Sequence, residues 1–340
     1  MKIAHIMAGA DAGGAELFYE RLAAAQHAAG HQVLPVMRAN PARARRLRAE
    51  RLEPCELRFG GRLDLLTGPR LRRALRRFQP RVAVAWMNRA ARLAPAGDWV
   101  LAGRLGGYYD LSYYRSCDHL IGNTLGIVDW IRAQGWPAAR VHHLPNFADD
   151  HAMLARVRPD WLAPGSKLVL ALGRLHRNKA FDVLIRALAG VPDAVLVIAG
   201  EGPERGALEA LARQIGVASR LRMPGWSDDP RALLAGADLL VCPSRHEPLG
   251  NVVIEAFSAR LPVVAASVAG PVELISSGED GILVPPEDVP ALAAAIGAVL
   301  GDAGLAARLA AAGRRKFERN FARAPVLARW DAVLSGLEHA

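Results

Sequence analysis

The chain has 340 residues, 51% of them hydrophobic and 22% charged, which provides core material for about two domains and excludes global disorder. Its net charge of +10 makes an anionic partner plausible, but the excess is local: residues 38–81 hold 14 arginines against Glu50, Glu53, Glu56 and Asp64. A patch of this kind argues against a uniformly basic coat for nucleic acid.

Ile3 to Met7 reads as a first strand, followed by the small-residue loop Ala8–Gly14 and a helix from Ala15 that stops at Gly30. His31 to Val36 reads as the next strand, completing a βαβ unit. Arg43–Arg58 and Leu71–Phe78 are basic, helical stretches. Val82–Trp86, Trp99–Ala102, His119–Asn123 and Val141–Leu144 are short buried strands, with a helix over Thr124–Gly135. Pro159–Ser166 reads as a linker.

A second alternation follows. Strands are expected at Leu168–Leu172, Ala194–Ala199, Leu221–Met223, Leu239–Val241, Val263–Ala265 and Ile282–Val284, with helices between them and two more after Leu305. Short apolar strands without polar alternation suit parallel sheets buried on both faces. The fold class is α/β, with domains over residues 1–160 and 161–320 and a closing helix over 321–340 expected to pack back on the first domain.

Three cysteines, Cys55, Cys117 and Cys242, are too few and too scattered for a disulfide scaffold and fit a reducing compartment. No Cys/His cluster has zinc-ligand spacing, so no metal site is expected. Residues 1–9 turn polar too soon for a signal peptide, and no run reaches the ~18 apolar residues of a membrane span. A cytoplasmic location is the expectation.

Candidate chemistry lies directly after strands, where open α/β sheets bind ligands. After Leu239–Val241 comes Ser244-Arg245-His246-Glu247-Pro248-Leu249-Gly250-Asn251-Val252-Val253-Ile254-Glu255. Gly250, Asn251 and Val252 would open a helix whose free N–H groups and dipole attract an anion such as a diphosphate. Glu247 and Glu255 would either face a ligand or belong to an ordinary polar loop and helix surface. After Leu172, Gly173-Arg174 and Lys179 offer two cations that could neutralise a diphosphate, or a solvated basic turn. Gly13-Gly14 after the first strand could let backbone approach a phosphate, and Gly200-Glu201-Gly202-Pro203 reads as a turn with Pro203 opening a helix. Neither loop spells G-x-G-x-x-G, and no Walker lysine or G-x-S-x-G elbow is present. Asp228 reads as a helix cap before Pro230 in preference to a metal ligand.

With these residues in order, the chain resembles the retaining GT-B glycosyltransferases of the glycosyltransferase family 4 type, whose hallmark is Glu, seven residues, Glu; here Glu247 and Glu255. Gly13-Gly14-Ala15-Glu16, Gly30-His31-Gln32-Val33, Pro145-Asn146, Gly173-Arg174-Leu175 with Lys179, Gly200–Pro203, Pro224-Gly225-Trp226, Ala237-Asp238 and Pro243-Ser244 fall in the family's order. The resemblance implies a GT-B fold of two Rossmann-like α/β/α domains facing across a cleft, the first binding the acceptor and the second the nucleotide sugar. It implies a metal-independent, retaining transfer from a UDP- or GDP-type sugar to a glycan or glycolipid, such as a lipopolysaccharide core or other envelope glycan, with no cofactor beyond that co-substrate. Arg174 and Lys179 would hold the departing diphosphate, Glu255 the ribose and Glu247 the donor sugar. Gly173, Gly202 and Gly250–Val252 would contact phosphates or sugar, and Gly13 and Gly14 would close over the diphosphate.

One departure stands out. Where the family often places a histidine after an N-domain strand, this chain has Arg104-Leu105-Gly106-Gly107-Tyr108-Tyr109-Asp110. Tyr108, Tyr109 and Asp110 are candidate acceptor or donor contacts, with surface packing as the alternative. The Arg-rich stretch 38–81 is a candidate contact for an anionic membrane surface, which would make the protein peripheral. The rival functions are a nucleotide-sugar epimerase on the same fold and a basic, non-enzymatic polyanion-binding protein. A glycoside hydrolase would need its carboxyls ~5–9.5 Å apart across one bond, a poor match to Glu247 and Glu255 on a loop and a helix.

Overall fold

The computed structural model describes residues 1–10, 13–60, 64–153, 155–227 and 229–338. Asp228, read as a cap, lies outside them, as do Asp11 and Ala12 of the first glycine loop. The chain divides into two compact units, Met1–Phe147 together with the residues from Arg323 onward, and Ala148–Ala322.

In the first unit the elements run β1 (Lys2–Met7), α1 (Gly14–Ala28), β2 (Gln32–Arg38), α2 (Pro41–Ala49), β3 (Cys55–Leu57), α3 (Thr67–Phe78), β4 (Val82–Trp86), α4 (Met87–Leu93), β5 (Val100–Leu105), β6 (His119–Gly122), α5 (Leu125–Ala133) and β7 (Val141–His143). Every strand pairing is parallel, in the order β3-β2-β1-β4-β5-β6-β7. Helices cover both faces, so β4 and β5 are buried throughout and their sequences are almost wholly apolar.

The second unit runs β8 (Lys167–Leu172), α6 (Phe181–Leu188), β9 (Ala194–Ala199), α7 (Arg205–Gln214), β10 (Leu221–Gly225), α8 (Arg231–Gly236), β11 (Leu239–Cys242), α9 (Asn251–Ser258), β12 (Val263–Ala266), α10 (Ala269–Leu274), β13 (Ile282–Val284), α11 (Val289–Gly301) and α12 (Ala303–Asn320). Its parallel sheet has the order β10-β9-β8-β11-β12-β13. Helix α13 (Arg323–Gly336) then returns to the first unit, burying Val326, Trp330 and Leu334 in that core.

Four expectations are corrected. The helix drawn over 43–58 ends at Ala49: Arg51 turns left-handed, Pro54 has no N–H to give, and Cys55–Leu57 joins the sheet edge beside β2. Helix α4 was not foreseen; it starts at Met87, whose φ of 64° follows β4 without a cap signal. The unit boundary falls at 147/148 and not at 160/161, and 159–166 is no free linker, because Ala148 and Leu162 are buried in the second unit's core and Arg158 bonds Asp238 at 2.6 Å. Pro203 precedes the helix, whose cap is Glu204. Among the described residues no single helix is long and apolar enough to cross a membrane.

Candidate functional site

Each sheet reverses strand order once, between β1 and β4 and between β8 and β11, and the carboxyl edge at such a reversal is where doubly wound folds bind ligands. In the second unit the two loops at that point are the ones carrying the candidate residues. The loop after β8 holds Gly173, Arg174 and Lys179; the loop after β11 holds Glu247 and leads into α9 with Gly250, Asn251, Val252 and Glu255.

The structure brings Lys179 and Glu247 together as an ion pair, with Ser244 Oγ donating to the same carboxylate oxygen at 3.2 Å. Burial works against the charged Lys179, but the Glu247 carboxylate outweighs it by charge and hydrogen bond, and the ammonium is held above its ordinary range. Burial pushes the Cys242 thiol up to about 11, so it remains protonated at neutral pH. Arg174 is exposed, and its guanidinium enters no hydrogen bond or ion pair among the described residues. One cation is thus anchored and one is unengaged.

The loops are stapled to each other by groups the sequence did not single out. Arg245 N–H donates to Asn178 O at 2.8 Å, and its guanidinium bonds both Asp182 carboxylate oxygens at 2.8 Å, Arg177 O at 2.9 Å, and Glu287. That bidentate contact holds the Asp182 carboxyl below its usual range. Gly270 N–H donates to Glu247 O at 2.8 Å, and a Cβ on Gly270 would meet that oxygen at 2.7 Å and Leu249 O at 2.3 Å. Only a bare backbone fits beneath the Glu247 loop.

Two candidate glycines have a structural reason independent of any ligand. A Cβ on Gly200 would lie 1.8 Å from Gly173 O, and one on Gly202 would lie 2.3 Å from Leu175 O. The loops after β8 and β9 are zipped together there, with Leu175 N–H donating to Glu201 O at 2.9 Å and Glu204 N–H to Leu175 O at 3.1 Å. Gly173 and Gly250 have φ of 145° and 91°, conformations that side chains rarely adopt. Gly250 caps α9, so the first-turn amides from Asn251 and Val252 open at the same edge as Lys179. Glu255 lies one turn further on, half-buried.

In the first unit the loop after β1 is organised by Glu16. Its buried carboxylate accepts from Ala10 N–H at 2.8 Å, and Cβ atoms on Gly9 or Gly13 would overlap it at 2.2 and 2.4 Å. Gly13 therefore makes room for Glu16, while Gly14 starts α1. Of the aromatic candidates, Tyr108 is exposed and packs edge-on against Trp130 at 5.6 Å, Tyr109 is half-buried against the core, and Asp110 caps a 3-10 turn by accepting from Ser112 N–H at 2.8 Å. Arg104 lies in β5, two residues past the expected strand end, and is buried. Among the described residues no group of three or more His, Cys, Asp or Glu is placed to hold a metal.

Comparison with known proteins shows the family. The family described as "Glycosyl transferases group 1" matches residues 166–302, and "Glycosyltransferase Family 4" matches residues 12–152. The lipopolysaccharide core biosynthesis glycosyltransferases LpsE and LpsD of Rhizobium meliloti are 34% and 33% identical to this chain. LpsE is matched over 95% of this chain and 96% of its own length, LpsD over 94% of each. Among solved structures, Anabaena HepE in complex with UDP-glucose superposes with a TM-score of 0.86 at 22% identity, covering 99% of this chain and 100% of HepE, which establishes the GT-B fold. With a family match in each unit and relatives aligned along nearly the whole chain, the protein belongs to the group 1, family 4 glycosyltransferases and is a glycosyltransferase.

Proposed function

We propose that the chain transfers a sugar from a nucleotide diphosphate sugar, of UDP or GDP type, to a hydroxyl of a lipopolysaccharide core or related envelope glycolipid, with retention of configuration and without a metal. The acceptor class draws on what the LpsE and LpsD relatives are named for, and the donor class on the UDP-glucose that HepE carries. The observation that carries the reading is the carboxyl edge between β8 and β11. There the loop after β8 carries an unengaged Arg174 and a charge-anchored Lys179, whose partner Glu247 lies three residues before the Gly250 cap of α9.

A diphosphate leaving the donor carbon gathers negative charge, and fixed cations and amides aimed at it lower the barrier. Lys179 has three N–H donors; Glu247 takes one, which positions the ammonium and leaves the others for phosphate oxygens. Arg174 can bind two oxygens at once. On this reading Glu247 also meets the donor sugar and Glu255 the ribose hydroxyls.

A thermal-shift panel of UDP-, GDP-, ADP- and dTDP-sugars tests it. A donor at 100 times its dissociation constant adds about 2.7 kcal/mol of stability, and Arg174→Ala with Lys179→Ala should abolish the gain. No stabilisation by any of the four would overturn the reading.

A peripheral membrane contact is favoured by one specific feature. Arg43 and Arg46 of the basic stretch are neutralised by Glu20, at 3.0 and 2.6 Å, and Arg48 by Glu53 at 3.0 Å. On α3, by contrast, Arg70, Arg72, Arg73, Arg76 and Arg77 are all exposed, and no guanidinium there has an acidic or hydrogen-bonding partner among the described residues. Leu65 and Leu66, just before α3, are exposed as well, Leu65 by 81%. Each such arginine contributes about 1 kcal/mol near an anionic leaflet. Co-sedimentation with anionic but not zwitterionic vesicles, lost on Arg70→Ala/Arg73→Ala/Arg77→Ala, is the expected result.

A further inference from the structure

Arg104 is 2% exposed, yet no carboxylate pairs with it among the described residues. Its guanidinium lies over the rings of Trp86 and Phe18, 4.4 and 5.0 Å from their centroids, and bonds Asn146 Oδ1 through Nη2 alone. Nε is buried without a hydrogen-bond partner. Arg104 sits near the carboxyl end of β5, and Asn123 follows β6, the neighbouring strand, one residue before the Thr124 cap of α5. Asn123 is 5% exposed, and its Oδ1 also lacks a partner.

Between these two residues is Gly106. A Cβ placed there would lie 3.9 Å from Arg104 Nη1 and 3.8 Å from Asn123 Nδ2, with no other atom nearer. The glycine therefore leaves a notch flanked by two nitrogen donors, and it is itself half-buried, so the notch reaches the surface. Burying a guanidinium without an acid is costly, and a protein that merely needed to fill this space would do better with an apolar side chain. Burial holds the Arg104 guanidinium down to about 9 against the opposing pull of Tyr109 and Tyr114. An anion beside it would reverse that.

We propose that Arg104 and Asn123, around Gly106, form an oxyanion site for a phosphate or carboxylate borne by a substrate other than the diphosphate held at Arg174 and Lys179. Resting on the proposed transfer reaction, this group belongs to the acceptor, so the acceptor class is an acidic glycan or phosphorylated glycolipid. Phe18 and Trp86 pack against the guanidinium, and Asn123 supplies the second donor. The site would serve in the place where the family often has a histidine.

The test uses the full chain carrying Arg174→Ala/Lys179→Ala, which removes the second unit's cations, with inorganic phosphate as the probe. A saturable rise in melting temperature is expected. It should disappear with Arg104→Gln and weaken at least fivefold in apparent affinity with Gly106→Ala. The added methyl of Gly106→Ala makes only ordinary contacts and no unfavourable φ, so that variant folds even if the arginine variant does not. Arg104→Gln should match or exceed the background melting temperature without phosphate, because it removes an uncompensated charge. The proposal fails if phosphate gives no saturable rise in the background, or if the rise survives both substitutions. A second arm titrates UDP against Arg104→Gln with Arg174 and Lys179 intact. Unchanged affinity is expected, and a fivefold or greater loss would reassign the site to the donor and overturn the acceptor assignment. The phosphate arm does not involve sugar transfer, so its failure is distinguishable from failure of the reaction reading.

Discussion

The two units share a doubly wound parallel topology but treat buried polar atoms in opposite ways. In the second unit Lys179 is tied to Glu247 and Arg245 to Asp182 and Glu287, while Arg174 stays unengaged. In the first unit Gln26, Trp99, Arg104, Asn123, Trp136 and Trp330 each bury a polar atom that has no hydrogen-bond partner, and among the described residues no second-unit side chain does so. The ionic staples of the second unit fix the loops after β8 and β11 to each other, which on the proposed transfer would hold the geometry for charge that develops during reaction. Of the first unit's unpartnered atoms, those of Arg104 and Asn123 lie at the carboxyl end of the sheet, where the proposed anion would complete them. One topology therefore carries ion-paired loops in one unit and unpartnered buried polar atoms in the other.

The largest expected effect breaks the rigid side. On the proposed transfer, Lys179→Ala removes a donor to the leaving group and should lower kcat/KM for the donor sugar by about 10²–10³. It also leaves the buried Glu247 without its cation, so the second unit should melt earlier. An unchanged kcat/KM would show that the pair is structural only.

Next comes a difference in acid sensitivity. His5 is fully buried between Trp86, which donates to its Nδ1 at 3.1 Å, and Gln26, bonded to Nε2 at 2.6 Å. Burial, chiefly, holds its pKa near 4, and burial with the nearby His119 and Arg132 does the same for His142. The unfolded chain binds protons to both below about pH 6.5, so first-unit stability should fall between pH 6.5 and 4, by about 3 kcal/mol for His5. The second-unit carboxylates held low include Asp150 and Asp229, near 2, with Asp182 and Asp238. Their contribution is complete above about pH 4 and is lost only below it. Hydrogen exchange at pH 7 and pH 4.5 should show protection lost first in β1 and β4. Equal loss in β8 and β11 would contradict this assignment.

A smaller effect concerns the zipped loops. Gly200→Ala forces a methyl against Gly173 O and should cost about 1–3 kcal/mol, measured by denaturant midpoint, with donor binding weakened in step. The smallest is a control of opposite sign. Gly297 lies inside α11 with nothing near its missing Cβ, so Gly297→Ala should stabilise the second unit by about 0.5–1 kcal/mol and leave turnover unchanged.

Much of this was legible because parallel strands buried on both faces, such as Leu168–Leu172 and Ala194–Ala199, write themselves as unbroken apolar runs between glycines. The region 43–58 misled because Arg, Ala, Leu and Glu favour helix throughout, and only Pro54 marked the edge strand that pairing with β2 imposes. Lys179 and Glu247 could be placed on one sheet edge from the strands before them, but their contact spans 68 positions and is a product of packing. Arg245 escaped notice because an arginine in a polar loop looks solvated until Asp182 and Glu287 close on it. Gly200 read as part of a turn and Gly202 as a phosphate or sugar contact, yet the partner both approach is the protein's own backbone.

The return of α13 to the first unit has a consequence for biosynthesis. The segment that supplies Trp330 to that core emerges from the ribosome only after the whole of Ala148–Ala322 has been made, a delay of roughly 10–35 s at ordinary elongation rates. Until then the nascent amino-terminal half has an uncovered apolar socket, a binding place for a chaperone, while the contiguous second half can complete its own core first.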